Sequence, residues 1–278
     1  RLVILIFILF LISPLVISTW IIPTTLNFAR NDYQEESTKN KIEKPKISNG
    51  NGWILDGLDI CTAIYWQWNP QICSDGQGGA IITWDDKRNG GDLNIYAQKV
   101  DSNGYVQWLI DGVPVSTAGN DQMYPQICSD GAGGAIIIWF DYRSGSKWDI
   151  YAQRIDSNGN ILWNNNGSVI STALNTLDEP QICSDGAGGA IFTWRDYRSG
   201  NSDIYAQRIG SNGNIQWIDN GTALCTVGSD QYNPQICSEE AGGAIITWYG
   251  RRNGSSLDIY AQKIDSIGNV KWNANGTA

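Results

Sequence analysis

Acidic and basic residues recur at a fixed spacing, Asp-x-Arg, that could bind a polar ligand. The copies are Asp86 with Arg88, Asp141 with Arg143, Asp196 with Arg198, and Arg252, which has Gly250 in place of the acid. One hypothesis is a ring of polar groups that grips a sugar or a peptide. The other is that each arginine bridges two carboxylates across a tight turn, with Asp149 or Asp203 as the second acid. Because catalytic sites normally use one asymmetric set of residues, the recurrence favours the structural interpretation.

Aromatic residues form a second candidate site, and unlike the Asp-x-Arg motif they do not recur in every unit. The predicted ligand-binding set is Tyr65, Trp66, Trp68, Tyr124, Trp148 and Tyr232. Exposed aromatic rings can stack on sugars or anchor a protein partner. The alternative is that these rings cap the edges of the fold. Variable loops on a rigid scaffold are where function usually lies.

The cysteines and the turn residues are weaker candidates for a functional site. Six cysteines fall in two columns, Cys73, Cys128, Cys183 and Cys237 in one and Cys61 with Cys225 in the other. Export would permit disulfides, but the predicted strands place the two columns at opposite sheet edges, which favours small buried thiols. The chain has no histidine, and we predict neither a metal nor a cofactor. Turn chemistry accounts for the Asp-Ser-Asn-Gly segments without calcium.

Four asparagines, in contrast, begin an Asn-Gly-Ser or Asn-Gly-Thr sequence. They are Asn166, Asn220, Asn253 and Asn275. These sequences would accept a glycan in a host that attaches one, and they suit tight turns equally well.

The elements that carry these residues belong to a repeat of about 55 residues. Two tryptophan columns recur in steps of 55 or 54 residues: Trp84, Trp139, Trp194 and Trp248, and Trp53, Trp108, Trp163, Trp217 and Trp272. A period this strict predicts one repetitive domain over 48–278.

Each repeat contains four short apolar segments, which we name strands a, b, c and d in chain order. Strand a is Pro-Gln-Ile-Cys, b carries the first tryptophan column, c reads Asp-Ile-Tyr-Ala-Gln, and d carries the second column. Tight Gly-rich and Asp-rich turns join a to d, and one longer loop leads to the next repeat. This pattern predicts an all-β β-propeller with four-stranded blades, and a parallel β-helix is the alternative. We expect four full blades plus an extra strand, cut from a larger ring.

The N-terminal region has a different composition. Residues 1–20 are almost wholly apolar, which favours a signal peptide over an uncleaved membrane anchor through residues 2–20. Residues 21–47 form a polar linker. Either interpretation predicts a secreted or cell-surface protein, and we expect a monomer. The net charge of −9 argues against nucleic acid as a partner.

The repeat units resemble those of secreted bacterial and archaeal surface proteins. The shared residues read Pro-Gln-x-x-Ser-Asp-Gly-x-Gly-Gly-Ala, then Trp-x-Asp-x-Arg-x-Gly, then Asp-Ile-Tyr-Ala-Gln-Arg. The resemblance covers about four-fifths of the chain, 48–278 of 278 residues; it implies an extracellular β-propeller and carries no catalytic residues with it. The last unit departs from the pattern at Gly250, Glu239 and Glu240. The sialidase repeat Ser-x-Asp-x-Gly-x-x-Trp does not occur.

These observations lead to three functional hypotheses. The leading one is a non-enzymatic extracellular binding or scaffolding propeller that engages a glycan or a surface protein, as in adhesion. The second is a carbohydrate-active enzyme, which needs two suitably spaced carboxylates, and the sequence shows no unrepeated acidic pair. The third is a purely structural spacer.

Overall fold

A computed structural model describes residues 57–173, 177–252, 254 and 256–278, without the side chains of residues 177–179. The predicted signal peptide or anchor at 1–20 and the linker at 21–47 lie outside the described residues, as do Trp53 and Asn253. Within the part of the chain that is described, no helix is long and apolar enough to cross a membrane.

The described residues form fifteen β-strands in four antiparallel sheets, each of which follows the chain order. Blade 1 contains β1 (Gln67–Ser74), β2 (Ala80–Asp86), β3 (Asn94–Val100) and β4 (Val113–Ser116). Blade 2 contains β5 (Gln122–Ser129), β6 (Ala135–Asp141), β7 (Asp149–Ile155) and β8 (Ser168–Ser171). Blade 3 contains β9 (Leu177–Ser184), β10 (Ala190–Asp196), β11 (Asp203–Ile209) and β12 (Thr222–Cys225). Blade 4 contains β13 (Gln231–Ser238), β14 (Ala244–Gly250) and β15 (Asp258–Ile264). The predicted all-β propeller is confirmed, with four strands in each of blades 1 to 3 and three described strands in blade 4, where four full blades were expected.

Turn residues explain why each sheet is a simple meander. In the turn from β1 to β2, the Asp75 carboxylate accepts the backbone N–H groups of Gln77 and Gly79, each at 2.8 Å. Asp101 caps the turn after β3 in the same way, accepting the N–H groups of Asn103 and Tyr105. Such side-chain to backbone bonds fix tight turns locally, so neighbouring strands in the chain become neighbours in the sheet.

The strands in position a are innermost and line the central channel. β1 packs against β5, β5 against β9, and β9 against β13. Among the described strands, β13 and β1 make no comparable contact. The described blades are therefore in contact in chain order, from blade 1 to blade 4. The expectation that they are cut from a larger ring stays a prediction.

The core consists of three layers, one between each pair of neighbouring blades. In the first layer, Ile81 and Ile95 of blade 1 pack against Ile137 and Trp139 of blade 2, and all four side chains are buried. The same positions of the repeat fill the other two layers. Each blade thus buries one face against the blade before it and the other against the blade after it.

Candidate functional site

A bulge interrupts the innermost strands just before their prolines. The pairing register shifts between Trp68 and Gln71 in blade 1, and at the equivalent residues of blades 2 and 4. Proline has no N–H group to donate to the neighbouring strand, so the ladder is broken at this point. The residue before each proline has a positive φ, 49° at Asn69, 56° at Tyr124 and 47° at Asn233.

This backbone conformation is costly for a tyrosine, on the order of 1–3 kcal/mol. Because Asn69, Tyr124 and Asn233 occupy the same position of the repeat, all three lie at the same end of the channel, which we call the mouth. Bulges and residues with a left-handed backbone conformation are enriched at functional sites. The mouth is therefore the candidate functional site.

Asp85 is the acidic side chain that the structure places at the mouth between blades 1 and 2. It follows the tryptophan of β2 and is paired with Trp68 of β1. Its Oδ2 atom accepts the side-chain amide of Asn69 at 2.6 Å, and its Oδ1 atom accepts the backbone N–H of Tyr124 at 2.9 Å. Only 1% of the residue is exposed. Both carboxylate oxygens are therefore held by the bulges of two different blades.

Burial raises the pKa of the Asp85 carboxyl from an ordinary 3.8 to about 7, although the hydrogen bonds from Asn69 and Tyr124 oppose the shift. Neither partner carries a positive charge, so the desolvation of the carboxylate is not offset by an ion pair. The next residue behaves differently. Burial also disfavours the charge of Asp86, but hydrogen bonds from Arg88 and Trp84 hold its pKa below the ordinary value. Asp85 thus titrates near neutral pH, whereas Asp86 stays ionised.

The other side of the mouth is lined by aromatic and polar side chains of blades 3 and 4. Tyr232 and Tyr249 stack with their ring centroids 5.4 Å apart. The Asn233 amide donates to the Tyr249 hydroxyl at 3.0 Å, and the Arg195 guanidinium lies 5.5 Å from the Tyr232 ring. A sugar could stack on these rings and bond to the polar groups around them.

A cavity of about 320 Å³ opens beside these groups in the channel. Tyr124 and Phe140 of blade 2, Gln181 of blade 3 and Asn233 of blade 4 contribute to its wall. The volume lies at the lower end of the range of about 300–1,000 Å³ that is typical of small-molecule sites. Its mixed lining of rings and amides suits a small polar ligand such as a sugar unit.

The predicted aromatic set does not form one surface. Trp68 lies beside Asp85, and Trp66 contacts Trp68 with ring centroids 5.1 Å apart. Tyr65 lies over the turn after β2, close to Gly90. Tyr124 and Tyr232 lie at the mouth, as described above.

Trp148 lies elsewhere in the fold. It packs on Tyr142 and on the core between blades 2 and 3. The structure therefore brings together Trp66, Trp68 and Tyr124 near Asp85, with Tyr232 on the opposite blade.

The Asp-x-Arg motifs lie within single blades. Arg143 donates to both oxygens of Asp141 at 2.8 and 2.5 Å and to the backbone carbonyl of Asn166 at 2.6 Å. Its guanidinium also covers the Tyr151 ring, 3.7 Å from the centroid.

The arginine therefore ties strand b to the start of strand d, with one carboxylate and one carbonyl as its main partners. The expected bridge between two carboxylates is corrected, because Lys147 is the ion-pair partner of Asp149 at 3.5 Å. The equivalent contacts in the other blades are made by Arg88 with Asp86, Arg198 with Asp196, and Arg252 with the carbonyl of Asn275.

All six cysteines are free thiols in the structure. Cys225 is buried and four others are half-buried, but Cys237 is exposed. The expectation of buried thiols is met fully only at Cys225, and Cys237 is exposed because none of the described blades packs on that face of blade 4. Among the described residues, no three His, Cys, Asp or Glu side chains are grouped as a metal site.

Sequence reasoning missed Asp85. The position after the first tryptophan column holds Asp85, Phe140, Arg195 and Tyr249 in the four blades. Every flanking position is nearly constant, so this variation in the middle of a repeated strand was the available signal. The enzyme hypothesis from the sequence required a pair of unrepeated acids, and Asp85 is a single acid within a strand.

Comparison with known proteins gives structural similarity alone. No family model matches the sequence, and no curated protein matches it. An endo-arabinase from Bacteroides thetaiotaomicron is 17% identical, with a TM-score of 0.42 and 78% of each chain covered. An α-L-arabinanase from Penicillium chrysogenum, complexed with arabinobiose, is 11% identical, with a TM-score of 0.47, 74% of this chain and 66% of that chain covered. A GH93 α-L-arabinofuranosidase from Fusarium graminearum, also complexed with arabinobiose, is 10% identical, with a TM-score of 0.47 and coverage of 74% and 65%.

These similarities correct the leading hypothesis from the sequence. A non-enzymatic binding or scaffolding propeller was expected, whereas the similar solved structures are glycoside hydrolases. At these identities the likeness concerns the fold, and no residue role is carried over from those enzymes.

Proposed function

We propose that this chain is a carbohydrate-active enzyme, with its site at the channel mouth and Asp85 as the group that holds the reactive proton. The observation that carries the proposal is the buried Asp85 carboxyl, whose pKa of about 7 keeps it largely protonated below neutral pH. A general acid works best when its pKa lies near the operating pH. Cleavage of a glycosidic bond needs such an acid to protonate the leaving oxygen.

The surroundings of Asp85 suit a sugar. Trp68 and Tyr124 are both exposed beside it, and flat aromatic faces bind the apolar faces of sugar rings. Asn69 is exposed and covers the Oδ2 atom of Asp85. A sugar that displaces the Asn69 amide would bond directly to the carboxyl group. This arrangement supports a role in which the substrate itself uncovers the acid.

A second carboxylate is needed for either stereochemical course of glycoside hydrolysis. In the sequence repeat, Glu179 stands at the position of Asn69, Tyr124 and Asn233. Glu179→Gln is therefore the second substitution to assay. The secreted or cell-surface location belongs to the same proposal, since polysaccharides are extracellular substrates.

The test is the release of reducing sugar from arabinan, xylan and soluble cellulose by the full chain between pH 5 and 9. We expect activity on at least one polysaccharide, falling as the pH rises through about 7. Asp85→Asn should lower kcat about 100-fold or more, since a general acid contributes about 10²–10⁴-fold. Asp101→Asn, in an exposed turn at the opposite end of the blade, is the matched control and should keep full activity. Full activity of Asp85→Asn, or no activity of the wild type on any polysaccharide, would refute the proposal.

A further inference from the structure

The aspartate of the Asp-x-Arg motif is held by a cluster of donors in blades 1 to 3. In blade 2, the Asp141 Oδ1 atom accepts the backbone N–H and the Nε–H of Arg143, at 2.9 and 2.8 Å. Its Oδ2 atom accepts the Trp139 indole N–H at 2.8 Å and the Nη2–H of Arg143 at 2.5 Å. The equivalent tryptophan and arginine bind Asp86 in blade 1 and Asp196 in blade 3. An indole and a guanidinium thus bind both oxygens of each carboxylate.

Blade 4 keeps these donors but lacks the carboxylate. Trp248 and Arg252 stand at the positions of Trp139 and Arg143, while Gly250 replaces the aspartate. Trp248 is only 1% exposed, and neither its Nε1 atom nor the Arg252 Nε atom has a hydrogen-bond partner among the described residues. Buried donors in folded proteins are nearly always bonded, because an unpaired one loses its bond to water without replacement. These two donors therefore point to an acceptor that the described residues do not supply.

The guanidinium of Arg252 is nevertheless positioned as in the other blades. Its Nη2 atom donates to the carbonyl of Asn275, and its centre lies 3.6 Å from the centroid of the Tyr260 ring. The equivalent arginine of blade 2 makes the same two contacts, with the ring 3.7 Å away. The cluster in blade 4 therefore keeps the arrangement that binds a carboxylate elsewhere in the chain.

The charge of Arg252 has no anionic partner among the described residues. Its side chain donates to the carbonyl of Asn275 and, at 3.2 Å, to the Cys225 Sγ atom, which is a weak acceptor. Burial raises the pKa of this thiol, which keeps it neutral. The carboxylate of Asp258 on the neighbouring strand accepts the Tyr260 hydroxyl at 3.4 Å instead. The cluster therefore carries a net positive charge.

The cluster lies in the interface between blades 3 and 4. Trp248 packs with Leu224 and Cys225 of β12 in the core layer of these two blades. The aspartates that the equivalent clusters hold in blades 1 to 3 are 0% exposed. Arg252 itself is half-buried, so one side of the cluster adjoins solvent. An anion that enters past this arginine would leave water for a site where charge-assisted hydrogen bonds are strong.

We propose that this cluster binds a small carboxylate of the size of formate or acetate. Its two oxygens take the places of the aspartate oxygens of the other blades. One accepts the Trp248 indole N–H and the Nη2–H of Arg252, and the other accepts the Nε–H and the backbone N–H of Arg252. A planar anion with two oxygens fits such a fork better than a spherical one. The site shares no residue with the channel mouth, and it does not depend on the proposed enzymatic function.

Urea unfolding of the full chain in sodium formate and in sodium chloride of equal ionic strength tests the proposal. A ligand that binds only the folded state stabilises it in proportion to ln(1 + [L]/Kd). The urea midpoint of the wild type should therefore rise with the formate concentration above its value in chloride. Arg252→Lys keeps the charge but loses the planar fork, and Trp248→Phe removes the indole donor. Each should weaken formate binding about 10-fold or more.

Gly250→Asp supplies the carboxylate from the chain itself. This variant should have a higher urea midpoint than the wild type in chloride, and formate should give it no further stabilisation at this site. An added Cβ would lie 3.3 Å from the Asp230 carbonyl oxygen and from the Gln231 Cγ atom, so these neighbours must move slightly. Gly250→Asn has the same contacts without the charge and is the matched control. It should unfold at a lower urea concentration than Gly250→Asp.

The comparison with Gly250→Asp also separates this site from other effects of formate, because any action on the rest of the chain persists in that variant. Equal midpoints of the wild type in formate and chloride would overturn the carboxylate site. An equal formate response of the wild type and Gly250→Asp, an unchanged formate affinity in Arg252→Lys, or a Gly250→Asn variant as stable as Gly250→Asp would overturn it as well.

Discussion

Replacing Asp85 by asparagine removes a carboxyl group at the mouth whose pKa is raised to about 7. The substitution keeps the size of the side chain and an oxygen that can accept the N–H of Tyr124. What it removes is the ionised form, which burial makes unfavourable in the folded protein. The effect should therefore appear as a change in how stability depends on pH.

The sign and size follow from the pKa. The carboxyl has a pKa near 3.8 in the unfolded chain and about 7 in the folded one. Below pH 3.8 both states are neutral, and between pH 3.8 and 7 only the unfolded state loses its proton. Stability therefore falls as the pH rises through this window, by up to about 1.4 kcal/mol per pH unit, and levels off above the folded pKa. Between pH 5.5 and 8 the loss should be about 2 kcal/mol.

Urea unfolding followed by tryptophan fluorescence measures this loss. The chain contains no histidine, so few other groups titrate between pH 5.5 and 8. We expect the free energy of unfolding of the wild type to decrease relative to Asp85→Asn by about 2 kcal/mol over this range. Asp86→Asn is the matched control. Its carboxylate already has a lowered pKa, so this variant should be less stable by an amount that stays constant with pH. Parallel curves for the wild type and Asp85→Asn would refute the raised pKa.

Two further predictions compare equivalent positions of different blades by urea unfolding. Arg143→Ala should lower the free energy of unfolding by about 3–5 kcal/mol, because the buried carboxylate of Asp141 loses its charged partner. Arg252→Ala should lower it by only about 1 kcal/mol, because Gly250 stands where the other blades have the aspartate. Equal losses for the two variants would contradict the ion-pair argument. Gly221→Ala should be more destabilising than Gly186→Ala by about 1–3 kcal/mol. Both glycines have a positive φ, but an added Cβ at Gly221 would lie 2.5 Å from the Trp194 ring, whereas at Gly186 it would meet nothing within 4 Å. Similar losses of stability at both sites would show that the backbone conformation alone decides the cost.

The repeat made the blades predictable. Turn residues such as Asp75 and Asp101 accept hydrogen bonds from the backbone of neighbouring residues, so a short stretch of sequence is enough to predict each turn. Strand alternation and the two tryptophan columns then fix which faces are buried. Because each blade packs only on its neighbours, the local pattern was enough to predict the architecture.

The site was harder to predict because it depends on contacts between repeats. The pKa of Asp85 is raised by burial under Asn69 and Tyr124, and Tyr124 lies 39 residues away in the next blade. The bulge that brings them together arises from a proline, which the sequence shows, and a register shift, which it does not. The packing of Trp148 was hard to predict for the converse reason, since a loop position next to a turn does not reveal that its ring packs on the core.

Repetition itself separates structure from function in this chain. Asp86, Asp141 and Asp196 recur because blades 1, 2 and 3 share one ion pair, in which the arginine two residues later binds the buried carboxylate. The position before each of these aspartates differs from blade to blade. Phe140 packs in the core between blades 2 and 3, whereas the Asp85 carboxyl group accepts hydrogen bonds from Asn69 and from the backbone of Tyr124, neither of which is charged. In a propeller of near-identical blades, a chemically active group has to arise from such a departure, and the residue that breaks the repeat is the one to mutate first.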